Sequence, residues 1–139
     1  MGLGPDEARL KGLVSELGLE GRVSFPGPVY GEAMQSLIRS ARAVLMPSEW
    51  YENTPYALLE AQAAGAVVIA ARSGSLPDRI EDSVSGFLYE PGDADGCAEK
   101  MRMALSGLDT AAYVKMREAA RQSIVPLRPE AYVSELQSL

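Results

Sequence analysis

At 139 residues the chain is sized for one domain with one core. An apolar share of 47% and a charged share of 23% are ordinary globular values and exclude disordered and fibrous classes. A net charge of −6 argues against nucleic acid or an anionic membrane as partner, since both need a basic face.

The sequence has no histidine, so His-metal sites and Ser-His or Cys-His catalysis have no residue to use. The single Cys97 allows no internal disulfide and fits a reducing, cytoplasmic setting. No apolar run approaches the length of an integral membrane segment. The opening MGLGPDEARLKG reads as neither a signal peptide nor a myristoylation site, since Asp6 stands where Ser or Thr is needed.

Pro5-Asp6-Glu7 opens a helix whose apolar residues Ala8, Leu10, Leu13, Val14 and Leu17 recur near period 3.6, and Gly18 closes it. Arg22 to Phe25 reads as a strand stopped by Pro26-Gly27-Pro28. A helix over 31–39 puts Met34, Leu37, Ile38 and Ala41 on one face. A strand follows at 43–46, stopped by Pro47-Ser48. Thr54 as N-cap and Pro55 as first helical residue start a helix that Gly65 ends. Val67-Val68-Ile69-Ala70 is continuously apolar, as in a parallel strand covered on both faces. A short helical entry at 76–80, a strand at 86–89 and helices over 93–105 and 109–122 complete the pattern. A helix is expected in the tail from Pro129, giving a domain over 1–125 and a tail over 126–139.

Strands alternating with helices predict a Rossmann-like parallel α/β sheet with flanking helices, whose ligands lie beyond the carboxyl ends of the strands. Glu52 follows the strand at 43–46, and the amides of the next helix's first turn suit an anion. Glu60 sits about 7–8 Å further along that helix. A diphosphate on the first turn with a ribose beside Glu60 is a sensible pairing, because a carboxylate accepts hydrogen bonds from vicinal hydroxyls. The spacing alone fits two solvated surface residues more readily, since E-x7-E is common by chance. Trp50 and Tyr51 suit stacking on a base or sugar, although capping the core is the commoner role for such residues. Arg72 reads more readily as a solvated loop residue than as a phosphate ligand. Cys97, Met101, Met103 and Met116 read as packing residues.

Several short motifs, each weak alone, occur in a specific order: Val23-Ser24-Phe25-Pro26-Gly27, Pro47-Ser48, Glu52-Asn53-Thr54-Pro55, Leu59-Glu60-Ala61-Gln62-Ala63-Ala64-Gly65, Ser73-Gly74-Ser75, Ser85-Gly86-Phe87-Leu88 and Pro91-Gly92-Asp93. In this order and spacing the chain resembles, over residues 2 to 122, the donor-binding C-terminal domain of GT-B retaining glycosyltransferases of family 4, the glycosyl transferases group 1. The resemblance implies that Glu60 holds the ribose of a nucleotide-diphosphate sugar. It implies that Glu52 contacts the donor sugar and stabilises charge at its anomeric carbon. The backbone around Asn53, Thr54 and Tyr56 would meet the diphosphate or sugar, and the loop at Gly27 would lie near the base. No metal or cofactor beyond the donor is implied, and the setting would be cell-envelope or exopolysaccharide assembly.

The departures matter too. Ser73-Gly74-Ser75 and Asp78 replace a usual double glycine and Glu, and Ser83 replaces a common Gly. Two strands that the family places ahead of Gly4, carrying an Arg and a Lys toward the donor phosphates, are not in this sequence. In the family's strand order they would lie between 22–26 and 43–46, a gap of about 14 Å. The gap is expected to close by direct pairing of those strands, or a second copy fills it as a homodimer. A missing N-terminal half would also leave the isolated chain inactive, since transfer needs an acceptor held against the donor. The rival reading is a non-catalytic truncated module that self-associates, with weak or no nucleotide binding. A nucleotide-sugar epimerase of the same fold is disfavoured by the Glu52–Pro55 and Leu59–Ala61 runs and by the lack of His.

Overall fold

The computed structural model describes residues 4–48, 50, 51, 53, 55–107 and 110–124. They fall into two compact units, Met1–Gln35 and Ser36–Leu139.

The first unit is built on α1 (Glu7–Glu16). Its Lys11 pairs with Glu7 at 2.6 Å one turn back and lies 5.6 Å from the Phe25 ring centroid. The expected strand over Arg22–Phe25 does not form. The amides of Arg22 and Val23 both turn back to the Leu19 carbonyl, at 2.8 and 3.0 Å, so they are lost to any ladder. Pro26 and Pro28 then have no N–H to offer. None of the described residues of this unit is buried, and Leu10, Leu13 and Leu17 of the apolar stripe are exposed.

After α2 (Gly31–Ser40) the second unit alternates β1 (Val44–Met46), α3 (Tyr56–Ala63), β2 (Val68–Ala71), α4 (Leu76–Arg79), β3 (Gly86–Tyr89), α5 (Ala94–Ser106) and α6 (Ala111–Gln122). The strands form a parallel sheet in the order β1-β2-β3, with Val44 opposite Val68 and Val68 opposite Gly86. All four β2 residues are buried, which is why that segment is continuously apolar. On one face Val68, Ala70 and Leu88 pack with Leu58 and Ala61 of α3 and with Leu76 and Ile80. On the other, Ile69, Ala71, Phe87 and Tyr89 pack with Ala104 of α5, Met116 of α6 and the half-buried Cys97.

A Cβ on Gly86 would come within 2.7 Å of the Val68 carbonyl oxygen and 3.0 Å of Ile80. Only glycine lets β3 lie this close. Arg117 on α6 donates to the Gly65 carbonyl at 2.7 Å, fastening α6 to the end of α3. The Tyr113 hydroxyl donates to the Arg42 carbonyl ahead of β1.

Direct pairing of 22–26 with 43–46 is not found, because the sheet of described residues has β1 at its edge. Leu45 on that edge is 41% exposed. Met101 and Met103, expected in the core, are exposed on α5, whereas Met116 is buried. The tail over 126–139 lies outside the described residues. No described helix is long and apolar enough to cross a membrane.

Candidate functional site

Because the three strands are parallel, their carboxyl ends share one edge of the sheet. The segments leaving that edge are 47–55 after β1, 72–75 after β2 and 90–93 after β3. The Arg72 amide donates to the Tyr89 carbonyl at 2.7 Å, and the Ser73 hydroxyl donates to the Trp50 carbonyl at 3.1 Å. The first bond ties the second segment to the end of β3, and the other ties it to the first segment. The Arg72 guanidinium pairs with Glu90 at 3.1 Å on the surface, in keeping with a solvated loop residue. Asp93 caps α5 by accepting the Gly96 amide at 2.9 Å. A shallow hollow of about 150 Å³ between Pro47, Tyr89, Asp93 and Cys97 opens on this edge.

Pro55 is the N-cap of α3, not its first helical residue: ψ of 120° leaves it extended. The Leu58 amide already reaches the Pro55 carbonyl at 2.9 Å. Pro55 has no side-chain acceptor to cap this end, and the amides of Tyr56 and Ala57 have no acceptor within the helix. They carry the partial positive charge of the helix N-terminus. Glu60 stands one turn on, about 6 Å along the axis, on the same face as Tyr56. Both are exposed, Tyr56 by 83%. Helical side chains lean toward the N-terminus, the direction of the first turn from Glu60.

Asn53 is exposed in the approach to α3. Glu52 and Thr54 lie outside the described residues. Gly27 belongs to the first unit, where φ of +70° demands glycine although a Cβ would meet nothing within 4 Å. With Gly4, Asp6, Leu10 and Phe25 it lines a cleft of about 260 Å³.

Trp50 and Tyr51 do not cap the core: they are 83% and 81% exposed. Sequence reasoning also missed two side-chain contacts. One is the Ser73 hydroxyl described above. The other is the buried Gln62, whose amide donates to the Arg79 carbonyl at 3.1 Å and closes the end of α4. The only signal for Gln62 was a polar residue in an apolar run, which does not name its partner, and Ser73 in a polar Arg-Ser-Gly-Ser loop gave none.

The family model of glycosyl transferases group 1 matches residues 1–123. The chain belongs to that family. It is 32% identical to the N-acetyl-alpha-D-glucosaminyl L-malate synthase of Bacillus anthracis, over 100% of this chain and 35% of that protein. Among solved structures it is similar to Anabaena Alr3699/HepE in complex with UDP, with a TM-score of 0.78 and 25% identity. That match covers 99% of this chain and 39% of the other. It is also similar to the C-terminal domain of the group 1 family protein LpcC of Francisella tularensis, with a TM-score of 0.74 and 27% identity. Here 87% of this chain and 63% of the other are covered. The group 1 chain thus has the α/β architecture of the GT-B glycosyltransferases, and it spans about a third or less of the length of the curated relatives it matches.

Proposed function

We propose that this chain is the donor-binding part of a retaining glycosyltransferase that uses a nucleotide-diphosphate sugar. The observation that carries the reading is the first turn of α3, begun by a Pro55 N-cap without a side-chain cap, with the exposed Glu60 one turn on. Uncapped amides suit phosphate oxygens. A carboxylate one turn on suits the vicinal hydroxyls of the attached ribose. The UDP complex of a structurally similar protein supports the nucleotide class. Asn53, Thr54 and Tyr56 would meet the diphosphate or the sugar through their amides, Glu52 would face the anomeric carbon, and the Gly27 loop would lie near the base. The isolated chain would bind donor without turning it over, because no acceptor is held against the reacting carbon.

Thermal-shift titration with UDP, GDP, ADP and their sugars tests this. A ligand at about 100 times its Kd adds roughly 2.7 kcal/mol to stability. One nucleotide should raise Tm, and Glu60→Gln should abolish that rise while leaving the ligand-free Tm unchanged, because Glu60 is exposed. No shift with any of them at millimolar concentration defeats the reading.

A further inference from the structure

The connection from β1 to α3, residues 47–55, leads directly into the helix turn proposed to hold the ligand. None of its described residues is buried, and the Trp50 and Tyr51 side chains are 83% and 81% exposed. Burial therefore does little to fix its course, and a connection without buried contacts samples many backbone states. Near its middle the Trp50 carbonyl accepts the Ser73 hydroxyl at 3.1 Å, across 23 positions of sequence.

The other end of that bond stands on fixed backbone. Ser73 follows β2, whose last residue, Ala71, is buried. The Ser73 amide donates to the Ala71 carbonyl at 2.8 Å, and the Ser73 carbonyl accepts the amide of the buried Leu76 at 3.2 Å. Beside it the Arg72 amide reaches the Tyr89 carbonyl at the end of β3, at 2.7 Å. Both backbone groups of Ser73 are thus committed to the end of β2 and the start of α4, and its hydroxyl is the group that reaches across to the neighbouring connection. Alanine there would keep the backbone and lose the donor.

We infer that Ser73 is a positioning residue, whose hydroxyl holds the β1–α3 connection in the course from which a nucleotide reaches the first turn of α3. This rests on the donor-site reading for the class of ligand, and Ser73 acts through the Trp50 backbone rather than on the ligand. A connection ordered beforehand spares the ligand the cost of ordering it, and apparent affinity scales with the fraction of molecules already in the competent course. The net worth of such a bond corresponds to roughly a two- to tenfold bias toward that course. The coupling is reciprocal, so bound nucleotide should restore order to a connection that has lost the tie.

The full chain, Ser73→Ala and Ser73→Thr are titrated calorimetrically with UDP, GDP and ADP at 25 °C, where circular dichroism verifies that each is folded. Backbone-amide NMR order parameters of Trp50, Tyr51 and Asn53 are measured with and without nucleotide. Ser73→Ala should weaken the nucleotide that binds wild type roughly two- to tenfold. Its three order parameters should fall from the rigid range of about 0.85 and recover when that nucleotide saturates the site. Ser73→Thr keeps the hydroxyl and should match wild type in both measurements. A tie that serves stability alone would lower Tm and leave the affinity of the folded protein untouched. Equal affinities for wild type and Ser73→Ala overturn the proposal, as do order parameters that Ser73→Ala leaves unchanged. A wild type that binds none of the three nucleotides overturns this inference and the donor reading together. Binding lost in Glu60→Gln but kept in full by Ser73→Ala overturns this inference alone.

Discussion

Asp82 offers the most quantitative perturbation. It sits in the turn between α4 and β3, and its two oxygens serve different partners. Oδ1 accepts the Leu88 amide at 2.9 Å, and Oδ2 pairs with Lys100 of α5 at 3.4 Å. The Leu88 amide belongs to the outer strand of the sheet, so the carboxylate takes the place of a fourth strand there. A hydrogen bond to a charged group is worth about 1.5–3 kcal/mol. The Lys100 pair, with side chains 21% and 33% exposed, adds about 0.5 kcal/mol after solvent screening. Asp82→Ala should therefore cost about 2–3.5 kcal/mol, or roughly 6–12 °C in Tm for a chain of this size. Asp82→Asn keeps an acceptor for Leu88 and should cost about 1 kcal/mol. Urea unfolding followed by far-UV circular dichroism measures both, and a double-mutant cycle with Lys100→Ala isolates the pair. If Asp82→Ala loses under 0.5 kcal/mol, or Asn costs as much as Ala, the edge-capping role is wrong.

Two further predictions follow from the surface. The open β1 edge with its exposed Leu45 is expected to pair with a second copy of the chain; sedimentation velocity at tens of micromolar should show a dimer that Leu45→Lys reverts to monomer, and a wild-type monomer throughout would count against it. The Ser15 hydroxyl, donating to Glu20 at 2.7 Å, holds that carboxyl below its ordinary range, aided by the backbone amide of Glu20 itself. The stability this lends is present above the unfolded-state pKa and is lost as pH falls through the lower folded-state value. A carbon-detected NMR titration should find the Glu20 midpoint raised in Ser15→Ala, and coincident midpoints would refute the cause.

Much of the fold was legible because local chemistry and tertiary packing agree. The β3 bounds, Gly86–Tyr89, follow from an apolar run set between Ser85 and Pro91-Gly92, and β2 follows from its unbroken apolar character. The strand expected at 22–25 failed because alternation in Val23-Ser24-Phe25 says nothing of where the amides go, and they go to Leu19. Pro55 was misplaced by one position because its fixed φ suits both N-cap and first helical residue, and ψ alone separates them. Trp50 and Tyr51 were misjudged because composition records that a residue is aromatic, not which way it faces. The Ser73–Trp50 tie joins residues 23 apart, beyond any local pattern.

The charge distribution explains why the candidate site should discriminate among parts of its ligand. With three carboxylates and no base in the sequence between Arg42 and Arg72, any phosphate held at α3 would rely on the amides of Tyr56 and Ala57 and the helix dipole. Such a dipole contributes about 0.3–1 kcal/mol at an exposed terminus, far less than bidentate arginine would. A ribose or hexose bound there would meet the opposite situation, with the exposed Glu60 carboxylate and Tyr56 ring one turn apart on α3. Nucleotide alone should therefore bind weakly, and most of the affinity should arrive with the sugar. An affinity for UDP equal to that for every UDP-sugar would mean that the amides dominate after all, and that Glu60 and Tyr56 share a helix face without sharing a ligand.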